Sequence, residues 1–165
     1  MQQRTTNIFL EKSMKNFTEK YTSTTSRYDF LESFSGAFYI LRCLKNECSF
    51  EYVNISFLNL FCLEKKKLQK DPLVFKDFFY EKDKDNFKEI LQDSLKYKVP
   101  FTWRGRIFIN EKIIWVLIET SVEHLFGKEY CYIFYIKDIS ARIQAEHILR
   151  ESEWRLQGLL DSVDT

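Results

Sequence analysis

The sequence predicts an α+β fold: one five-stranded antiparallel sheet with helices inserted between strands 2 and 3. Two observations carry this reading. Two strand patterns, a run of broken helical patterns, three more strand patterns and a long helix follow one another in that order. The strands within each group are joined by only a few turn-forming residues, as hairpins require, and strands never alternate singly with helices, which excludes parallel βαβ units.

Each element has its own signal. Leu10, Met14, Phe17 and Tyr21 recur at helical spacing among charged residues, which predicts an N-terminal amphipathic helix, and the Ser/Thr cluster from Thr22 to Ser26 reads as a linker. A short helix over Tyr28 to Phe34 is expected to end at Gly36 as its C-cap. Ala37 to Leu44 and Ser49 to Val53 read as strands joined by Lys45-Asn46-Glu47. A broken helical stretch runs from Asn54 to Lys70 and stops before Pro72. A further helical piece covers Val74 to Tyr80. A longer helix spans about Asp83 to Tyr97, with Phe87, Ile90, Leu91 and Leu95 on one face and Asp83 or Asp85 as its cap. Phe101 to Ile109, Ile113 to Glu123 and Glu129 to Asp138 alternate as strands, and Ser140 caps a helix running to Val163. The two last strands are apolar on both faces, so the sheet needs two covers: the internal helices on one side, a terminal helix or a partner subunit on the other. These signals divide the chain into a helix and linker over 1–27, a core over 28–139 and an outgoing helix over 140–165.

Composition narrows the function. The 165 residues suit one domain with flanking segments, and 16 Phe, 9 Tyr and 3 Trp imply a core filled by rings or a pocket lined by them. Twenty-five basic and 24 acidic residues are spread evenly, with no basic stripe to bind nucleic acid. No apolar run approaches the roughly 20 residues that span a bilayer, and the first residues lack a signal-peptide core, so a cytoplasmic protein is expected.

Over about Tyr28 to Leu160 the chain resembles the PAS family. Tyr28 to Leu41 looks like that family's entry helix and first strand, and Tyr52-Val53-Asn54 like the strand end and asparagine that open its first core helix. Trp103-Arg104-Gly105-Arg106 with Ile114-Trp115-Val116 is similar to the late strands of one subgroup. Asp138-Ile139-Ser140, followed by Arg142, Ala145-Glu146, Leu149 and Glu151-Ser152-Glu153, resembles the family's DIT motif and outgoing helix. The resemblance implies a sensory module that passes a signal through Asp138, Ile139 and Ser140 to an attached output domain, such as a histidine kinase or a cyclic-dinucleotide enzyme, or to a further PAS domain. It also implies that the domain itself is not an enzyme. Three positions depart from the family: Cys62 and Phe134 stand where glycine is usual, and Tyr80-Glu81 where His-Pro is common.

The chemistry-bearing residues agree with a non-catalytic reading. His124 falls at a strand end and His147 on the outgoing helix, away from where a PAS heme ligand is expected, and no cysteine sits in the Asn-Cys-Arg setting of flavin-binding relatives, so neither heme nor flavin is expected. His124, Cys131 and Glu123 make a poor hydrolytic triad, and Asp83 with Asp85, between Lys82 and Lys84, reads as a solvated helix start rather than a metal or acid–base pair. Four cysteines fit no zinc spacing and no CxxC pair; they read as reduced, mostly buried thiols, the alternative being a redox pair of Cys43 and Cys48 across their hairpin. Phe57, Phe61, Phe78, Phe79, Phe87, Leu91 and Trp103 form the candidate ligand site between helices and sheet, for a small apolar or aromatic ligand, against the alternative of a closed core. Arg142, Ala145, Leu149, Ser152, Leu156, Leu159 and Val163 alternate spacings of three and four, a heptad seam. With Leu10, Met14, Phe17 and Tyr21, the seam residues Leu149, Leu156 and Leu159 predict a homodimer through the flanking helices, and beyond about Glu151 the outgoing helix is expected to leave the domain.

Overall fold

The computed structural model describes residues 28–45, 47–125 and 127–163; Leu10, Met14, Phe17 and Tyr21 lie outside them. A 3-10 turn, Asp29–Ser33, precedes strands β1 (Ala37–Leu44) and β2 (Glu47–Val53). Helices α1 (Ile55–Phe61) and α2 (Lys65–Lys70), a second 3-10 turn (Val74–Phe78) and the long helix α3 (Glu81–Tyr97) follow. Strands β3 (Thr102–Ile109), β4 (Lys112–His124) and β5 (Glu129–Asp138) complete the sheet, and α4 (Ser140–Val163) leaves it. All neighbours are antiparallel in the order β2-β1-β5-β4-β3, so the first and last strands of the core lie side by side at its centre.

Local chemistry explains most boundaries. Asn54 opens α1: its Oδ1 accepts from the amides of Phe57 and Phe38, while its Nδ2 donates to the carbonyls of Leu31 and Gly36. One fully buried amide thereby fastens the entry turn, β1 and α1 together. Helix α1 ends on Cys62 in the left-handed region, at φ 50°, the conformation that makes glycine common there. Asn110 and Glu111 both have positive φ and Ile109 pairs with Lys112, so β3 and β4 are joined by a two-residue loop of the primed type.

Some expectations are corrected. Both short pieces expected as helices, at Tyr28–Phe34 and Val74–Tyr80, are 3-10 turns of five residues. Gly36 caps no helix; a Cβ there would stand 1.9 Å from the Tyr135 ring, so glycine lets that ring lie flat on the backbone. Helix α3 starts two residues earlier than expected, with Tyr80 as N-cap and no side-chain cap. Asp83 is instead drawn to Arg106, and Asp85 is exposed. Strand β2 begins at Glu47 rather than Ser49, which brings Cys48 into register with Cys43. Their Cα atoms are 4.1 Å apart and the two are disulfide-bonded, so the reading of four reduced thiols does not hold for this pair.

The core lies between the sheet and α1–α3. The helix-facing residues of the strands, among them Tyr39, Leu41, Trp103, Val116, Ile118, Tyr132 and Phe134, pack against Phe57, Phe61, Phe75, Phe87 and Leu91. On the opposite face, Phe38, Ile40, Tyr52, Cys131 and Ile133 are covered by Tyr28 and Leu31 of the entry turn, a third solution besides the terminal helix or partner expected there. Toward β3 and β4 this face is open, with Phe108 and Ile113 about half exposed. The β3 edge is closed differently: Phe79 forms a bridge to Ile107 and the Tyr80 amide donates to the Arg106 carbonyl.

Candidate functional site

Helices and sheet bring the predicted aromatic set together. Phe57, Phe61, Phe79, Phe87, Leu91 and Trp103 are buried and Phe78 is half-buried, all on the helical side of the sheet. The rings meet one another directly. Phe79 stacks on Phe87 at 3.9 Å between centroids, Trp103 stands edge-on to both at 5.1 Å, and Phe57 meets Phe61 at 4.7 Å. Phe134 extends the array to Tyr39, Phe75 and Phe101, within 5.8–6.3 Å. Tyr39 crosses the array and donates its hydroxyl to the Pro72 carbonyl at 2.5 Å; burial pushes its phenol far above the usual range, so it stays protonated. The Trp103 indole covers Gly105, where a Cβ would come within 2.1 Å of it, and its N–H donates to Asn86 at 2.9 Å. Clefts of about 360 Å³ and 430 Å³ open elsewhere, one beside Cys43 and Cys48 and one beside Gly36 and Asp138.

The second predicted site is the junction of β5 with α4, where the strand ends at Asp138 and the helix begins at Ser140, but the cap expected of Ser140 is made differently. Asp138 Oδ1 accepts from the Ser140 amide at 2.8 Å, so Asp138, not Ser140, satisfies an amide at the helix start. The Ser140 hydroxyl instead accepts from the Trp115 amide at 3.0 Å, and the Ile139 amide donates to the Trp115 carbonyl at 2.8 Å. Ile139 is buried, which fixes the turn between strand and helix. Both backbone groups of one residue on β4 therefore hold the root of α4. Beyond it no residue of α4 is buried, so the helix leaves the core after its first turn, earlier than Glu151. Leu149, Leu156 and Leu159 are each about 60% exposed, so the helix carries its apolar seam into solvent.

One participant was not foreseen from sequence. Arg106 stands opposite Trp115 in the β3–β4 ladder, its guanidinium 5.4 Å from the Trp115 ring and 4.5 Å from that of Tyr80. Its Nε and a terminal nitrogen donate to the two oxygens of Asp83 at 2.8 and 2.7 Å, and its amide adds a third bond. The arginine holds the Asp83 carboxyl below the usual carboxylate range. A continuous set of contacts thus runs from the first turn of α3 through Asp83, Arg106 and Trp115 to Ser140. The signal that could have revealed it was Arg106, the second arginine of the Trp103–Arg106 segment, which falls opposite Trp115 once β3 and β4 are paired.

The catalytic constellations do not assemble. Glu123 is in register with Cys131, but strand alternation turns His124 to the other face, where its ring meets Tyr130 at 4.7 Å. His147 lies on α4, 3.8 Å from Glu151. Among the described residues no group of His, Cys, Asp and Glu is arranged to hold a metal ion, and no helix is long and apolar enough to cross a membrane.

No family model matches the chain, and no curated protein matches it. Solved structures do. An RNA-binding light-oxygen-voltage receptor aligns with a TM-score of 0.60 at 15% identity, over 81% of this chain and 40% of that one. A sensory box histidine kinase/response regulator from Burkholderia thailandensis aligns at 0.51 and 15% identity, over 74% and 91%. The N-terminal domain of a diguanylate cyclase with PAS/PAC sensor from Marinobacter aquaeolei aligns at 0.51 and 14%, over 64% and 97%. At such identities it is the architecture that is shared: a five-stranded antiparallel sheet with helices inserted between β2 and β3 gives this chain a PAS-like fold.

Proposed function

We propose that the chain is a sensory input module, with a core over 28–139, that couples a stimulus or small ligand to an attached output domain through the helix beginning at Ser140. The observation that carries this reading is the root of α4. Ser140 and Ile139 are hydrogen-bonded to Trp115 of the sheet, while the rest of the helix touches little else. A shift of β4 against β5 therefore reaches α4 directly, as a change in its angle and rotation. The origins of two solved neighbours are the ground for naming a histidine kinase or a cyclic-dinucleotide enzyme as output. The domain itself has no catalytic role in this reading.

The test is Asp138→Ala with Ser140→Ala in the chain joined to its output domain. Output becomes insensitive to input while the core stays folded, because the lost cap and sheet bond cost only about 1–3 kcal/mol. Input-dependent output at wild-type amplitude in the double variant overturns the proposal.

A second reading, a dimerisation module with no ligand, is favoured by the ring-to-ring packing of the candidate ligand site. Phe134, buried where the family commonly has glycine, adds bulk there and supports a protein that purifies colourless, without heme or flavin. A native mass spectrum separates the readings: retained mass on the protomer supports the ligand-coupled sensor, and a bare dimer supports the second.

A further inference from the structure

The cleft of about 360 Å³ at the far end of the sheet from α4 is bounded by the β1–β2 hairpin, the end of α3 and the start of β5. Its wall includes the Cys43–Cys48 disulfide. Cys43 is buried and Cys48 is part-exposed, so an incoming reagent meets the Cys48 sulfur first. The rim is cationic: among the described residues Lys45, Lys96 and Lys98 line it and no Asp or Glu does. The Lys98 ammonium sits 4.0 Å from the centre of the Tyr130 ring and donates to its hydroxyl, a neutral partner that leaves the positive charge in place. The nearest carboxylates in the ladder, Glu47 and Glu129, are both in register with Leu44 and so belong to the other face of the sheet. A part-exposed cysteine in a positively charged surrounding is the environment in which cysteines react and thiolates are stabilised.

We propose that Cys43–Cys48 is a thiol-exchange site addressed by small anionic thiols. The thiolate of the small molecule attacks the Cys48 sulfur, forming a mixed disulfide and releasing Cys43 as a thiolate. A second small thiolate attacks the small-molecule sulfur of that mixed disulfide and releases the Cys48 thiolate. The protein gains two electrons and two protons as its bond is reduced, and two small thiols leave as one symmetric disulfide. The lysine rim raises the local concentration of the anionic attacker and stabilises both departing thiolates.

Oxidised full-length chain is incubated with reduced glutathione or with neutral 2-mercaptoethanol at equal thiolate concentration, then alkylated and weighed. Opening of the bond adds two alkyl groups, one each at Cys43 and Cys48. In the Lys96→Glu/Lys98→Glu variant the ratio of the glutathione rate to the neutral-thiol rate falls about fivefold, and added salt shrinks that difference. Both lysines are exposed and neither belongs to the core, and an unchanged thermal midpoint of the variant checks that the fold is retained. An unchanged rate ratio overturns the proposal, as does alkylation of Cys43 and Cys48 in air-oxidised protein before any thiol is added.

Discussion

At the scale of single residues, two side chains decide more than their neighbours. Asn54 spends all its hydrogen-bonding capacity inside the protein, on two amides and two carbonyls from three separate segments. Asn54→Ala strands those buried groups and removes the cap of α1, so chemical denaturation is expected to show a loss of about 3 kcal/mol or more. Cys62 is the opposite case, an ordinary side chain in a left-handed position, with φ 50°. Cys62→Gly relieves a penalty of about 1 kcal/mol, less the contact that Asn110 makes to its sulfur at 3.2 Å, and is expected to raise the denaturation midpoint. Both positions were legible in sequence, the asparagine as a helix opener and the cysteine as a stand-in for glycine. The partner of Asp83 was not, because an aspartate beside lysines at a helix start looks the same whether it caps the helix or reaches across to a strand.

Between elements, the Asp83–Arg106 pair ties α3 to the edge strand β3. Its contribution depends on pH in a fixed direction. Arg106 depresses the folded-state pKa of Asp83, so the stabilisation is complete above the ordinary aspartate value of about 4. It is lost as pH falls through the lower, folded-state value. Asp83→Asn is therefore expected to lower the thermal midpoint at pH 7, and the gap between variant and wild type closes under acid conditions, as scanning calorimetry at several pH values can check. A gap that stays constant down to pH 2 counts against the ion pair as its source. Strands were the elements best read from sequence, since alternation and short turns are local properties; β5 begins and ends where its pattern does. The 3-10 turns were misread as helices because five residues carry too little periodicity to separate the two. The entry turn's role as a cover for Phe38 and Ile40 depends on contacts distant in sequence, whereas the pairing of Cys43 with Cys48 is local to one hairpin and was visible as the alternative to reduced thiols.

For the molecule as a whole, the balance between core and outgoing helix sets the behaviour. The core closes on itself through its rings, whereas α4 leaves Leu149, Leu156, Leu159 and Val163 exposed by 60–80%. Charged neighbours stabilise such a helix only weakly; Arg142–Glu146 is an exposed i,i+4 pair, worth about a few tenths of a kcal/mol. Twenty-four residues with no buried side chain gain most from a partner helix that covers the seam. The heptad spacing was plain in sequence, and its solvent exposure gives the dimer expectation its physical motive. Leu156→Glu with Leu159→Glu puts like charges into the seam of a paired helix and touches nothing in the core. Sedimentation of the wild-type chain at high micromolar concentration is expected to give a dimer, and the double variant a monomer with an unchanged thermal midpoint for the core. A wild-type chain that remains monomeric under those conditions removes the seam as an interface. A double variant that still dimerises moves the interface to the open β3–β4 face, where Phe108 and Ile113 are half exposed.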